Sequence, residues 1–312
     1  MKWDDRIGRR LRLKDLHTLQ TVAEVGSMAK ASERLALSQP AISKAISDME
    51  HTLGAPLLDR SSRGVELTEC GRLLVERARV IFDEIRQGVS DIEHLSDPTR
   101  GIVRIGTTEP VTGVVSEIIS RLARKYPGLS YDVMVSDLDT LVSELRERTR
   151  DVVVTRWATP PVADDLAVQV LFKSPLAVMA AQRHPLLLRK KLSLGDLMEE
   201  RWTLSPSESF LGRVVVDLFR RRKLPIPPTV VTTISIHMRL NLLAGGGFLS
   251  VLPSQMLRYP SNRGWLRALD VDLRDSVQPI ASLTLKGRRA GGAVKLFEQA
   301  SLEVCKMMVG PQ

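Results

Sequence analysis

Residues 38–44 read Ser-Gln-Pro-Ala-Ile-Ser-Lys. Hydroxyl, amide and ammonium groups this close together suit contact with base edges and phosphates better than bond-breaking chemistry. Gln39 and Ser43 would read base edges, Pro40 and Ala41 would touch a thymine methyl, and Lys44 would hold a phosphate. Elsewhere the chain offers hydroxyls and guanidiniums but no matched histidine or carboxylate dyad, so an enzyme is not expected. The two cysteines, Cys70 and Cys305, lie far apart, and the five histidines show no ligand spacing, so neither a metal nor another cofactor is expected.

Those polar residues need a helix that presents its N-terminal end. Proline is tolerated in a first helical turn, where its missing N–H costs nothing, and Ser38 is a good N-cap. Ile42, Ala45, Ile46 and Met49 then recur at helical spacing and form the buried face. An ordinary amphipathic surface helix is the competing reading of this segment alone. What precedes it weighs against that reading: Leu16, Leu19, Val22 and Ala23 mark a short helix, Gly26 breaks it, and Ser27 caps another from Met28 to about Leu35. Three short helices with a tight last connection form a helix-turn-helix, whose later helix enters the major groove. Leu57-Leu58 and Val65–Leu67 then read as two short strands of a wing with Arg63 at its tip.

The ordered set Gly26-Ser27, Ala31, Leu35, Ser38-Gln39-Pro40-Ala41, Ser43, Ile46, Glu50, Leu53-Gly54, Leu57, Arg60, Leu67-Thr68 and Gly71 resembles the LysR-type bacterial transcriptional regulators. The likeness spans most of residues 13 to 98. Leu19 and Leu58 stand where that family usually has an aromatic, and Ser32 where it has alanine; the first two alter core packing and leave the reading face alone. On the residues and the resemblance together, Ser27, Ser38, Gln39, Pro40, Ala41, Ser43, Lys44, Arg60, Arg63 and Thr68 are the expected DNA-contacting set.

Net charge does not make this argument. The chain is +9 overall, yet residues 1–98 carry 15 Lys and Arg against 16 Asp and Glu, and the remainder 30 against 20. The basic excess lies outside the DNA-binding part, where it suggests an anionic small molecule or simply a soluble surface. In the first 98 residues only local placement helps, through Lys44, Arg60, Arg63 and the arm Arg9-Arg10-Arg12.

From Glu69 to about Asp97 the pattern is one long helix. Leu74, Ala78, Ile81, Ile85, Val89 and Ile92 form a stripe opposite Arg77, Asp83, Glu84, Arg86 and Asp91. A stripe this long between domains is expected to pair with the same helix of another subunit, with packing on its own domain as the alternative. The resemblance makes it the linker helix of a homodimer or tetramer.

Beyond Gly101, short apolar strands alternate with amphipathic helices, which predicts parallel α/β layers. The fold class expected is therefore α/β overall: an all-α winged helix-turn-helix domain (11–68), a linker helix (69–98) and a two-lobe α/β sensor domain (99–312) resembling periplasmic binding proteins. Its lobes are expected at 101–172 plus 276–312, and at 173–275. Gly245-Gly246-Gly247 through Leu252-Pro253 match a family feature and read as a helix end rather than a phosphate loop. Ligands of such sheets bind beyond the strand C-termini. Thr107, Thr108, Ser136, Thr155, Arg156, Thr203, Ser205 and Ser235 are the strand-end residues expected to hold an effector. Helix capping is the competing role for Thr107, Thr108 and Ser136.

No apolar run approaches the ~18 residues of a membrane span, and the N-terminus lacks a signal-peptide core. A cytoplasmic regulator is expected, binding double-stranded promoter half-sites, with a small anionic effector altering DNA bending and access for RNA polymerase. The alternative is an architectural DNA-binding protein that needs no ligand. The basic run Arg220–Lys223 has no assigned role.

Overall fold

The computed structural model describes residues 10–61, 64–157 and 164–309. The chain divides between Val89 and Ser90 into two compact units.

The first unit contains α1 (Leu13–Val25), α2 (Met28–Leu35) and α3 (Gln39–Leu53), followed by a hairpin of β1 (Leu58–Ser61) and β2 (Gly64–Leu67). The caps are those the sequence signals. The Ser27 hydroxyl accepts from the Lys30 amide, and the Ser38 hydroxyl from the Ala41 amide at 3.4 Å. Gly26 and Gly54 end α1 and α3 in the left-handed region. Leu16, Leu19, Val22, Ala31, Ile42, Ile46, Met49 and Leu57 form the buried core.

Helix α4 (Glu69–Ser96) begins against this core. A Cβ on Gly71 would lie 2.1 Å from the Leu57 carbonyl oxygen, so only glycine fits the first turn of α4. Glu50 completes the joint, its Oε1 accepting from the Leu57 and Leu58 amides at 2.8 and 3.3 Å. The expected dimer stripe divides here. Ala78 is fully buried and Leu74 packs on the same core, so these two serve their own unit. Ile81, Ile85, Val89 and Ile92 remain exposed, joined by Leu95. Asp83, expected on the polar face, is buried and paired with Arg86; the next-turn guanidinium makes that burial tolerable.

The second unit holds two α/β layers. A five-stranded sheet has the order β4-β3-β5-β12-β6, built from β3 (Gly101–Thr107), β4 (Leu129–Val135), β5 (Val152–Arg156), β6 (Leu166–Ser174) and β12 (Gln278–Leu285). The first three strands are parallel, but β12 runs antiparallel to both β5 and β6. The sheet is therefore mixed, not all-parallel. The reason is that the chain returns from the other lobe to insert β12, so no helical crossover sets its direction. Helices α5 (Thr112–Lys125), α6 (Leu138–Arg146) and α9 (Gly292–Val309) belong to this lobe.

The other lobe is built on β7 (Leu176–Ala181), flanked antiparallel by β10 (Ser250–Pro253) and β11 (Leu266–Ala268). A parallel pair, β8 (Trp202–Leu204) and β9 (Thr229–Thr232), adjoins it together with α7 (Phe210–Arg221) and α8 (Ile236–Ala244). Between β7 and β8 the stretch 192–200 forms no α-helix but a single 3₁₀ turn, Gly195–Leu197. There Asp196 accepts from both the amide and hydroxyl of Ser193, closing a tight turn instead of starting an α-helix. Gly246 and Gly247 are left-handed just past α8, as a helix end requires. The chain crosses between lobes at Pro175 and again just after Ser276. Among the described residues no helix is long and apolar enough to cross a membrane.

Candidate DNA-reading helix and effector cleft

Helix α3 turns its apolar side into the first unit and leaves Gln39, Pro40, Ala41 and Lys44 exposed at its N-terminal end. The side chains of Gln39 and Lys44 make no hydrogen bond or ion pair among the described residues, and Ser43 is half-buried beside them. Ser27 and Ser38 are caps whose hydroxyls accept from their own helices. Thr68 departs from expectation. Its hydroxyl donates to the Pro56 carbonyl at 2.7 Å and accepts from the Gly71 amide at 3.0 Å, so it is spent on holding α4 to the chain before the hairpin. The backbone of Arg60 pairs with Val65 in the hairpin; Arg63 lies outside the described residues.

In the second unit a cavity of about 460 Å³ opens between the lobes at the C-terminal ends of β3, β4 and β5. Thr108, Ser136, Thr155, Arg156 and Ser205 line it, together with an apolar side that includes Phe210, Leu211, Ile234 and Ile236. Thr108 and Thr155 join through their hydroxyls at 3.1 Å. Arg156 is only 2% exposed. Its Nη2 donates to the Ser174 carbonyl at 3.0 Å and its Nε reaches Gln278 at 3.4 Å, whereas Nη1 is buried with no partner among the described residues. Burial pulls the guanidinium down to about 10, which still leaves it charged at neutral pH. An unpartnered buried N–H on a cation is a strong attractor for an acceptor, above all an anionic one.

A second guanidinium supports the cleft from behind. Arg239 is fully buried and donates through Nη1 to the Ser205 hydroxyl at 2.8 Å, and through Nε and Nη2 to Ser250. Burial lowers it too, to about 10, with the Glu109 charge opposing the shift.

Two family models match this chain. One, described as the LysR substrate binding domain, covers residues 96–306; the other, a bacterial regulatory helix-turn-helix protein of the lysR family, covers residues 13–72. The chain belongs to the LysR family of transcriptional regulators. It is a DNA-binding regulator with an effector-binding domain, and its fold is the expected one. Among similar proteins, the regulator GbpR of Azospirillum brasilense is 30% identical, over 89% of this chain and 82% of that one. The activator CmpR of a Synechocystis strain is 26% identical over 83% of this chain and 84% of its own. These relatives are transcriptional regulators. Among solved structures, a full-length OxyR variant from Pseudomonas aeruginosa matches with a TM-score of 0.65 at 18% identity, covering 95% of each chain. Full-length CbnR complexed with target DNA matches at 0.55 and 21% identity, over 95% of this chain and all of that one.

The LysR-family cleft gathers some of the strand-end residues and not others. Thr107 is fully buried and donates to the Val154 carbonyl at 2.9 Å, which fixes the sheet and keeps it from the cavity. Thr203 is fully buried and is not among the residues that line the cavity. Ser235 caps α8, accepting from the Met238 amide at 3.2 Å. The first turn after Thr108 has no side-chain cap, whereas the starts of α6, α7 and α8 are capped by the chain's own side chains. Asp137 accepts from the Thr140 amide at 2.9 Å at the start of α6, and that bond holds its carboxyl below the usual range. Ser209 caps α7. Glu109 reaches from the first lobe to α8 in the second. The sequence reading missed Glu109, Asp137, Ser209 and Phe210 in the lining. Asp137 carried a signal, an N-cap residue type directly before a helix; Glu109 carried none, because its partners lie 127 residues away.

Proposed function

We propose that this LysR-family regulator binds promoter half-sites in double-stranded DNA as a homodimer or tetramer, with α3 in the major groove. Gln39 and Ser43 read base edges, Lys44 and the wing arginines hold phosphate, and Pro40 and Ala41 face apolar groups of the groove. The exposed, unpartnered amide of Gln39 at the N-terminal end of α3 carries this reading, since that end of a recognition helix meets the bases. The exposed stripe Ile81, Ile85, Val89 and Ile92 supplies the apolar surface for pairing of subunits. The protein works in the cytoplasm, where its DNA is.

The effector is a small anion held between the sensor lobes by Arg156, Thr108, Thr155, Ser136 and Ser205. Its binding energy changes the arrangement of the subunits, and with it DNA bending and access for RNA polymerase; couplings of this kind are typically ~1–3 kcal/mol. A cleft of about 460 Å³ favours this reading over a ligand-independent architectural protein, which would fill that space with its own side chains. Titrating the protein with small carboxylates while following its thermal stability tests the effector reading. A rise in melting temperature that Arg156→Ala abolishes supports it; no response to any acid counts against it.

A further inference from the structure

The charge pattern of the cleft constrains what the anion can look like at its other end. Among the described lining residues Arg156 is the cation, the group that would hold one acidic group. The charged residues otherwise lining the cavity are both acids, Glu109 and Asp137. Each already holds a helix start. Glu109 Oε1 accepts from the Ile236 amide at 2.8 Å and the His237 amide at 3.4 Å, and Asp137 accepts from the Thr140 amide and hydroxyl. The starts of α6 and α8, which would ordinarily welcome a second anion, are therefore already held by carboxylates. A carboxylate retains acceptor capacity after two such bonds, and Glu109 Oε2 has no hydrogen-bond partner among the described residues.

We infer that Glu109 and Asp137 make the cleft selective for a monocarboxylate whose far end donates hydrogen bonds, through hydroxyl or ammonium groups, and reject dicarboxylates of the same length. A second carboxylate inside this cavity would meet the charges of Glu109 and Asp137, and like charges brought together across a binding surface are strongly unfavourable. Donor groups on the ligand would find acceptors in the lining in Glu109, Asp137 and the hydroxyls of Ser205 and Ser209. Rejection by an unmatched charge is a sharper filter than any the apolar side provides, where a methylene more or less changes affinity only modestly. The inference rests on the reading of the cleft as an anion site through Arg156.

The test uses full-length protein and six-carbon acids of matched reach: hexanoate, adipate, 6-hydroxyhexanoate, 6-aminohexanoate and gluconate, with calorimetric Kd values. The expected result is that the hydroxy or amino monocarboxylates bind at least about tenfold more tightly than adipate, with the hydroxylated and amino probes separating the two donor types. Glu109→Gln keeps an oxygen for the Ile236 amide but exchanges charge for an N–H donor. The Kd ratio of adipate to 6-hydroxyhexanoate should then fall by about tenfold or more, and a smaller fall is expected for Asp137→Asn. A merely structural role for Glu109 would weaken all five acids together and leave that ratio unchanged, which overturns the inference. Adipate binding as tightly as the donor-bearing acids to wild type also overturns it, while leaving the anion site intact. If none of the acids binds, the reading of the cleft fails and the inference with it. Should Glu109→Gln fold poorly, the wild-type ranking and the Asp137→Asn ratio decide alone.

Discussion

Glu109 Oε1 accepts a hydrogen bond from the Ile236 amide at 2.8 Å, joining the end of β3 in one sensor lobe to the start of α8 in the other. A carboxylate at a helix N-terminus satisfies orphan amides and opposes the helix dipole at once. Here it also adds a tie between the two lobes, which the chain itself joins at Pro175 and just after Ser276. Replacing Glu109 with alanine should destabilise the sensor unit by about 0.5–2 kcal/mol, the usual cost of losing a cap. Urea unfolding of the full chain, followed through a sensor-unit probe, measures this; unchanged stability would mean the contact is dispensable.

Gly71 sets a stricter condition in the first unit. With the Leu57 carbonyl oxygen 2.1 Å from where its Cβ would stand, Gly71→Ala must push α4 from the hairpin. A cost of about 1–3 kcal/mol or more is expected, as for overpacked cores. The same unfolding experiment, read at the first unit's transition, should show it together with weakened DNA binding.

The stripe on α4 separates two kinds of substitution. Ile85 and Ile92 are 45% and 66% exposed, whereas Ala78 is fully buried. The double change Ile85→Glu and Ile92→Glu should shift the sedimentation equilibrium toward monomer and leave the melting of the first unit within about 0.5 kcal/mol, as surface changes do. Ala78→Glu should instead unfold that unit, because it buries an unpaired charge. A double variant that sediments like wild type would remove this stripe from the subunit interface.

Arg156 gives the effector site its pH behaviour. Its value in the folded protein is depressed by burial to about 10, well below the ordinary guanidinium range. Below that value the group is protonated in both folded and unfolded states, so it contributes no pH dependence of stability near neutrality. Stability rises with pH only as the folded form releases its proton, from about 10 upward to the ordinary guanidinium value of the unfolded chain. Binding of an anion needs the charged form, so affinity should be flat from about pH 6 to about pH 9 and fall as pH passes about 10. A midpoint near neutrality in the calorimetric affinity would assign the anion to a different group.

Much of this was legible in the sequence because it is local. The Ser27 and Ser38 caps, Pro40 in a first turn and the periodicity of Ile42, Ile46 and Met49 are set by residues within one helix of each other. What escaped depends on partners far along the chain. The antiparallel insertion of β12 is decided by where the chain re-enters the first lobe. Ala78 and Ile85 share one helical stripe, but only the position of Leu57 and its neighbours buries the first and not the second. Thr68 and Thr203 have residue types suited to binding, yet neighbours in space have claimed or covered them. Glu109 lies beside Thr108, and nothing short of the folded position of α8 reveals its role.

The claim on which the rest depends is that α3 reads DNA through Gln39 and Ser43. Footprinting on the DNA flanking the protein's own gene, with wild type, Gln39→Ala/Ser43→Ala and Lys44→Ala across a salt series, tests it most directly. The expected result is protection of regions about one helical turn or a multiple apart. The double variant should lose about 1–3 kcal/mol of discrimination at specific bases. Lys44→Ala should weaken all sequences alike and reduce the salt slope by about one. Protection indifferent to Gln39 and Ser43, or no protected region on any fragment, would contradict the account.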